Sequence, residues 1–346
     1  MTRLLLAITF AISIMTGPAS AETGPRYDIL DFADLQGWGG DDHAAALAAF
    51  LETCRDLDDP DWAALCGLAR ETKDARGFFE LLFRPVLIRD GAEMLFTGYF
   101  EPELNGAPYR NSTYRYPVYK MPPEARASRP WLTRRQLLTS GVMEGRGLEI
   151  AWVDDPVELF FLQIQGSGRI RFPDGRVVRV GYGGANGHPY RSIGRELVRR
   201  GVYTAHQVSM QVIANWVRRN PVAGRDLLYH NAAYVFFREV NEVPPEKGPL
   251  GAMNRSITPL RSIAVDPRYT PLGAPVWIEK EGADPMNRLM IAQDTGSAIK
   301  GAQRADIFYG TGDEAGRIAG RTKDGGRMVV LMPIQRAYAL LPEPVQ

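Results

Sequence analysis

The segment Leu289–Gly312 combines apolar runs with acids and glycines. One run ends at Asp294, in the sequence QDTG, and a second surrounds Asp306, in ADIF. Glycine tolerates positive φ and close backbone approach, so the pattern predicts a strand, a tight turn, a loop and a second strand. Two acids on such a unit could perform acid–base chemistry at the mouth of a cleft, or could cap turns.

Asp306 is the first candidate for a catalytic acid. Its neighbours Ala305 and Ile307 are apolar, and a carboxyl in apolar surroundings has a raised pKa because its charged form loses hydration. Repulsion from Asp294 would raise the pKa of Asp306 further. A carboxyl that stays protonated near neutral pH can act as a general acid. The alternative is a structural aspartate that caps the turn before Gly310.

Asp294 lies in the sequence DTGS, which is also typical of aspartic proteases. Those enzymes need two aspartates that share one proton. The chain has no second Asp-Thr-Gly or Asp-Ser-Gly, so only a homodimer could complete the pair. The polar Gln293 directly before Asp294 is also unusual for that family.

Asp266 follows a further apolar run, in AVDP. An aspartate before proline favours an Asx-type turn over direct catalysis. Asp266, Asp294 and Asp306 together could hold a hard cation, which takes oxygen ligands. The sequence has no calcium-loop pattern, no HExxH pair and no Walker lysine motif, and its QGSGRI segment lacks GxGxxG spacing. We therefore predict no metal and no cofactor.

Residues 1–21 have the pattern of a signal peptide, with Arg3 before an apolar core and a small-residue cleavage site at Ala19-Ser20-Ala21. An uncleaved anchor is the alternative. No cysteine follows the apolar core, so the common route to a bacterial lipid anchor is absent. The sequence predicts export to the periplasm and leaves association with the outer membrane open.

The charge of the exported chain is balanced. Loss of Arg3 with the signal peptide would reduce the 41 basic residues by one, to equal the 40 acidic residues. This balance argues against nucleic acid as the main partner and fits a neutral or mixed-charge ligand such as a sugar polymer.

The chain has two cysteines, Cys54 and Cys66. Both lie in apolar helical patterns, and disulfides persist in exported proteins. We expect a structural disulfide between two neighbouring helices, with two buried free thiols as the alternative.

Local patterns predict a small helical cap followed by β-rich sequence. Helices are predicted over Asp41–Cys54, from Asp59 onward and over Lys73–Phe83. The capping box of Thr204 and Gln207 predicts the start of another helix. Many short strands with turn signals between them predict a small closed barrel near the C-terminus. The predicted strands include Leu148–Val153, Glu158–Gln165 and His230–Glu239.

Three motifs in the middle of the chain carry residues suited to binding sugars. Aromatic faces pack on sugar rings, while amides and exposed glycine backbone bond hydroxyl and acetamido groups. For each aromatic residue taken alone, core packing is the alternative. The candidates are Tyr99, Phe100 and Glu101 in TGYFEP, Gln163, Gln165, Gly166 and Ser167 in QIQGSG, and Asn186 and Tyr190 in GANGHPY.

The motifs together resemble the membrane-bound lytic murein transglycosylase A family, over roughly Met94 to Pro333. From about Ser256 the chain also resembles the 3D domain, named for three aspartates, which fall here on Asp266, Asp294 and Asp306. The matching motifs, in order, are FTGYFEP, FFLQIQGSGRI, GANGHPYRSIG, YVFFRE, ITPLRSIAVDPRYTPLGAPVWI and AQDTGSAIKGAQRADIFYGTG.

The resemblance implies a mainly β fold with some α. A double-psi β-barrel domain would carry a second β-rich domain inserted into it, plus the N-terminal helical cap. The expected segments are the signal peptide at 1–21, the cap and first part of the barrel at 22–106, the insert at 107–229 and the rest of the barrel at 230–346.

The resemblance also implies an activity. The family cleaves the β-1,4 bond between N-acetylmuramic acid and N-acetylglucosamine without adding water, leaving a 1,6-anhydro end. Asp306 matches the family's catalytic Asp, and Asp294 matches a supporting carboxylate. Peptidoglycan glycan strands are the expected partner, proteins of cell-wall synthesis or remodelling are further candidates, and a monomer is expected. Family members are often lipoproteins, whereas this sequence lacks the lipobox cysteine.

Residue chemistry agrees with one catalytic carboxyl. An acid can protonate the glycosidic oxygen and then, as a carboxylate, take the proton of the sugar's C6 hydroxyl as that hydroxyl attacks C1. A hydrolase would need a second carboxyl, which Asp294 could supply. Two further hypotheses are a non-catalytic peptidoglycan-binding protein and a dimeric aspartic protease.

Overall fold

The computed structural model describes residues 24–340 except 56, 58 and 245. The predicted signal peptide at 1–21 lies outside the described residues. Within them, no helix has the length and apolar character needed to cross a membrane.

The first of two sheets contains nine strands among the described residues. Two pairs, β10 with β12 and β3 with β13, are parallel, and the other pairs are antiparallel. In spatial order the strands are β1 (Arg26–Ile29), β2 (Phe83–Arg89), β15 (Gly326–Pro333), β11 (Pro275–Lys280), β12 (Met286–Thr295), β10 (Ser262–Val265), β13 (Arg304–Thr311), β3 (Leu95–Glu101) and β14 (Lys323–Asp324).

Three helices cover one side of this sheet and form the predicted N-terminal cap: α1 (His43–Thr53), α2 (Pro60–Glu71) and α3 (Ala75–Leu82). An aspartate accepts a backbone N–H at the start of each, which satisfies donors that have no partner within the helix. The helices bury an aromatic cluster against β2, made of Phe50, Trp62, Phe78, Phe79 and Phe83.

A disulfide links the end of α1 to α2. Cys54 and Cys66 are bonded, with their Cα atoms 5.5 Å apart. The bond closes a loop over a separation of 12 residues, which restricts the unfolded chain and so stabilises the cap.

The second sheet contains six strands among the described residues, and several helices pack around it. In spatial order the strands are β5 (Tyr116–Tyr119), β6 (Glu149–Val153), β4 (Glu103–Ala107), β7 (Gly168–Arg171), β8 (Val177–Ala185) and β9 (Val235–Glu239). The helices of this part are α4 (Pro123–Ala127), α5 (Arg134–Thr139), α6 (Pro156–Gln165), α7 (Ile193–Arg199), α8 (Met210–Arg219) and α9 (Pro221–His230). The last two helices, α10 (Gly312–Ala319) and α11 (Ile334–Ala339), belong to the first sheet's half of the molecule.

Residues 107–229 therefore hold more helix than strand, and more helix than the sequence predicted. The prediction of a strand over Glu158–Gln165 is wrong, because these residues form α6. Asp155 caps that helix by accepting from the N–H groups of Val157 and Glu158, and Gly166 ends it with a φ of 79°. The start signal, an aspartate before Pro156, outweighed the strand preference of the aromatic run that follows.

The capping box of Thr204 and Gln207 does not begin a helix. The Thr204 N–H donates to Gln207 Oε1 at 2.9 Å, but this bond closes a turn. The helix begins at Met210, where Ser209 is the cap. The predicted strand over His230–Glu239 is shortened to β9, because α9 extends to His230.

Candidate active site

The two candidate acids lie on the same part of the first sheet. Ala264 of β10 is paired with Asp294 on one side and with Asp306 on the other, and Asp306 is in turn paired with Thr97 of β3. Paired residues project from the same face of a sheet. The two aspartates are thus separated by two strand spacings, about 10 Å between backbones, and both side chains are partly exposed.

Among the described residues, one side chain hydrogen-bonds to Asp306. Thr97 Oγ1 donates to Asp306 Oδ1 at 2.5 Å. Burial raises the pKa of Asp306, while the Thr97 hydrogen bond and the positive charge of Arg304 lower it and only partly offset the rise. The pKa of Asp306 is thus raised, as the apolar neighbours predicted, and burial is the cause. A raised pKa suits a carboxyl that must hold a proton near neutral pH.

Asp294 accepts three hydrogen bonds. The backbone N–H groups of Thr295 and Ala252 donate to Oδ1 at 2.8 and 3.0 Å, and the Tyr99 hydroxyl donates to Oδ2 at 3.0 Å. Burial nevertheless raises the pKa of Asp294 to about 6, and repulsion from Asp306 adds to the rise. The expected repulsion between the two carboxylates thus contributes to the raised pKa of Asp294.

The hydrogen bonds of Gln293 explain why a polar residue directly precedes Asp294. Its side chain is fully buried and donates to the carbonyl of Ala49 in α1 at 3.2 Å, while Ser262 Oγ donates to its Oε1. These bonds fix the end of β12 against β10 and the cap, and so they set the position of Asp294.

Asp266 has a different environment from the other two acids. Only 1% of its surface is exposed, and its carboxylate is bonded to the Arg268 guanidinium and the Gly301 N–H. The Arg268 hydrogen bonds hold the pKa of Asp266 well below its usual range. These bonds place Asp266 in a turn that supports the loop before β13. The prediction that Asp266 also contributes to substrate binding stays a prediction.

The three candidates in TGYFEP point in different directions. Tyr99 lies at the site, bonded to Asp294. Phe100 packs under α10 against Ala315 and Ala319. Glu101 is fully buried in an ion-pair cluster with Arg169 and Arg179, each with a nitrogen 2.9 Å from its carboxylate, and this cluster joins the two sheets. Only Tyr99 of the three is therefore brought together with the aspartates.

The candidates in QIQGSG and GANGHPY lie mainly inside the second half of the molecule. Gln165 Oε1 accepts the N–H of Phe100 at 3.1 Å, so it fastens α6 to β3, and Gly166 and the buried Ser167 follow it. Gln163 accepts from Arg134 at 2.6 Å and lines a separate cavity of about 790 Å³.

Asn186 is also internal. It is fully buried, and its amide donates to the carbonyls of Leu132 and Ala232. Tyr190 lies on the loop after β8 and is 37% exposed. Neither residue is bonded to the aspartates.

Sequence reasoning missed Thr97 and Arg304. Thr97 lies two residues before Tyr99, and Arg304 two residues before Asp306, so strand alternation places each on the same face as a candidate that was identified. That alternation was the available signal. Among the described residues, no group of three or more His, Cys, Asp or Glu side chains could hold a metal ion.

Comparisons with known proteins agree with this geometry. A family model described as the MltA specific insert domain matches residues 95–238, and one described as the 3D domain matches residues 261–332. Membrane-bound lytic murein transglycosylase A of Vibrio cholerae is 34% identical over 268 residues, which cover 73% of this chain and 70% of the relative. The chain belongs to the lytic murein transglycosylase A family.

Solved structures of this family share the fold. A membrane-bound lytic murein transglycosylase from Agrobacterium tumefaciens superposes with a TM-score of 0.81 at 32% identity, covering 90% of this chain and 99% of that one. MltA of Escherichia coli, solved with bound chitohexaose, has a TM-score of 0.71 at 29% identity and covers 86% of this chain and 90% of that one.

The family resemblance and the fold class predicted from the sequence are thereby confirmed. The insert-domain model extends beyond 107–229 at both ends, and those domain boundaries stay a prediction, as do the roles of the individual site residues.

Proposed function

We propose that this chain is a peptidoglycan lytic transglycosylase, a carbon–oxygen lyase that cuts the β-1,4 bond between N-acetylmuramic acid and N-acetylglucosamine. The observation that carries the proposal is the environment of the Asp306 carboxyl. Its carboxyl has a pKa raised by burial yet is partly exposed, and it lies in the fold of proteins named for this activity.

Asp306 acts first as a general acid. It gives its proton to the glycosidic oxygen, the bond from C1 to that oxygen breaks, and positive charge develops at C1. Asp306 is then a carboxylate beside the new cation, where its negative charge is favourable.

Asp306 next acts as a general base. It takes the proton of the C6 hydroxyl of the same muramyl residue while that oxygen attacks C1. The new bond from O6 to C1 closes the 1,6-anhydro ring, and the proton count of the enzyme is restored. No water enters the balance, because the nucleophile belongs to the substrate.

Asp294 supports this chemistry from two strands away. Its bond to the Ala252 N–H fastens the loop before β10 to the end of β12, and its bond to the Tyr99 hydroxyl links it to β3. Once ionised, Asp294 adds negative potential near the cationic C1.

Substrate binding and location extend the proposal. Bound chitohexaose in the E. coli relative supports a glycan strand as ligand here, lying across the face that carries Tyr99 and Asp306. The hydrophobic start of the sequence supports export to the periplasm.

Digestion of purified sacculi by the mature protein tests the proposal. The wild type should release soluble muropeptides with anhydro ends. Asp306→Asn keeps the shape but has no proton to transfer, so we expect release to fall by roughly 10²–10⁴-fold with folding retained. Asp313→Asn, an exposed acid just beyond β13, is the matched control and should digest normally. Binding of sacculi without soluble product by the wild type would instead identify a non-catalytic wall-binding protein.

A further inference from the structure

A chain of two hydrogen bonds, which the mechanism above does not use, ends at Asp306. Arg304 Nη2 donates to Thr97 Oγ1 at 2.8 Å, and Thr97 Oγ1 donates to Asp306 Oδ1 at 2.5 Å. Asp306 is paired with Thr97, and Arg304 with Leu95, in the parallel ladder of β3 and β13. The hydrogen-bond chain is therefore positioned by the sheet itself.

Backbone carbonyls hold the Arg304 guanidinium in place. Its Nη1 donates to the carbonyl of Ala305 at 2.6 Å and to that of Leu95 at 3.2 Å. Because a guanidinium is planar, these bonds leave Nη2 directed at Thr97.

The hydrogens available on Arg304 and Thr97 fix the donor-to-acceptor direction of this hydrogen-bond chain. A guanidinium can only donate, so Thr97 Oγ1 accepts from Arg304. The threonine hydroxyl has one hydrogen, and Asp306 Oδ1 is the acceptor that lies within reach of it. Oδ1 is therefore an acceptor oxygen, and a proton on it would leave the threonine hydrogen unpaired in a partly buried site.

Asp306 Oδ2 is the other oxygen of the carboxyl, and it accepts no hydrogen bond from the part of the chain that the structure describes. On these grounds we infer that Arg304 and Thr97 are positioning residues that place the acid proton of Asp306 on Oδ2. The inference rests on the proposed function, since it assigns that proton to the acid step.

Other charged and titratable groups also face this carboxyl. Asp294 lies across Ala264 from it, Tyr99 lies on the same face of β3, and Lys323 of β14 is paired with Thr97 from the far side. None of these three donates to Asp306 Oδ1. The hydrogen-bond chain is therefore distinguishable from the general charge of the site.

The pH dependence of kcat/KM tests the inference. Asp306 must be protonated to act, so activity falls as pH rises through its pKa. Thr97→Val removes the donor that favours the ionised form. We expect the high-pH limb of the kcat/KM profile to move up by about one pH unit. A hydrogen bond to a charged group changes the pKa of that group by about this amount. Arg304→Gln should move the limb in the same direction.

Two controls separate positioning from structure. Thr97→Ser restores the hydroxyl and should return the limb to the wild-type pH. Lys323→Gln removes a nearby exposed charge, which solvent screens, without touching the hydrogen bonds, and should move the limb much less than Thr97→Val does. A basic limb that stays unmoved in Thr97→Val, or moves equally in Thr97→Ser, would overturn the inference.

A titration without substrate separates this inference from the proposed function. The carboxyl ¹³C resonance of Asp306, assigned by its absence in Asp306→Asn, should titrate at a higher pH in Thr97→Val than in the wild type. If the wild type cuts no peptidoglycan but this shift is present, the proposed function fails and the hydrogen-bond chain stands. If digestion is normal and the resonance does not shift, the proposed role of the hydrogen-bond chain is refuted and the proposed function stands.

Discussion

Asp306 and Asp294 are the same residue type on one face of one sheet, but their neighbours suit them to different tasks. Asp306 has one hydrogen-bond donor and stays partly exposed, so its proton can be transferred. Asp294 is fixed by three donors, so it is suited to holding a loop and a charge. Asp266 has an arginine and a backbone amide on its carboxylate, and these donors favour its ionised form.

The raised pKa of Asp294 predicts that the residue costs stability at neutral pH. A carboxyl whose pKa rises from 3.8 to about 6 on folding stabilises the protein below pH 3.8, and this contribution is lost as pH rises through 6. Asp294→Asn cannot ionise. The free energy of unfolding of the variant relative to the wild type should therefore increase between pH 4 and 7, by at most about 3 kcal/mol.

Urea titrations of the wild type and Asp294→Asn at pH 4, 5, 6 and 7 measure this difference. A difference that is independent of pH would refute the raised pKa. Release of muropeptides by the variant should fall less than in Asp306→Asn.

Glu101 should stabilise the fold without taking part in the reaction. Its buried carboxylate pairs with Arg169 and Arg179, and removing one partner of a buried pair leaves uncompensated charge. Glu101→Gln should lower the free energy of unfolding by about 3 kcal/mol. Glu103→Gln is the matched control, because Glu103 pairs with Arg171 near the surface and should change stability by less than about 1 kcal/mol. Equal effects in urea titrations would show that the buried cluster is not what joins the two sheets.

Strand β3 links the candidate site to α10 and to the second sheet. Thr97 and Tyr99 project toward the aspartates, while Phe100 packs under α10. Gly98 is opposite Ile307 in the ladder. The strand continues through Glu101 toward β4 and the second sheet.

Gly98 is required by the close approach of α10 to β3. A Cβ at this position would lie 2.7 Å from the Ala319 Cα and 2.7 Å from the Tyr309 ring. Gly98→Ala should lower the free energy of unfolding by about 1–3 kcal/mol through overpacking. It should also lower activity, because the strand must shift at Thr97 and Tyr99.

Gly67→Ala is the control for this substitution. Gly67 lies on the exposed side of α2 with no atom near the added Cβ, so alanine there should raise stability by up to about 1 kcal/mol. Thermal melts and digestion assays of both variants measure the contrast. A Gly98→Ala protein with unchanged stability and activity would contradict the tight packing.

For the whole molecule, the sequence predicted those features that depend on neighbours along the chain. The cap helices and the aspartates at the ends of apolar runs follow from capping residues and periodicity. The helix α6 was not predicted, because its aromatic run favours a strand even though Asp155 before Pro156 marks a helix start. The family resemblance supplied the overall fold, which local patterns alone do not specify.

Features that depend on contacts between distant segments could not be predicted in this way. Glu101 was proposed as a sugar contact, but its two arginines come from β7 and β8, which are distant along the chain. The hydrogen-bond chain from Arg304 through Thr97 to Asp306 requires the parallel pairing of β3 with β13, and no local pattern indicates that pairing.

The central claim is that one carboxyl transfers the proton while the substrate supplies the nucleophile. Digestion of sacculi in water enriched in ¹⁸O, followed by mass spectrometry of the soluble fragments, tests it most directly. We predict fragments one water lighter than hydrolysis products, with no ¹⁸O at the new muramyl end. Reducing ends that carry ¹⁸O would contradict the account and would identify a hydrolase.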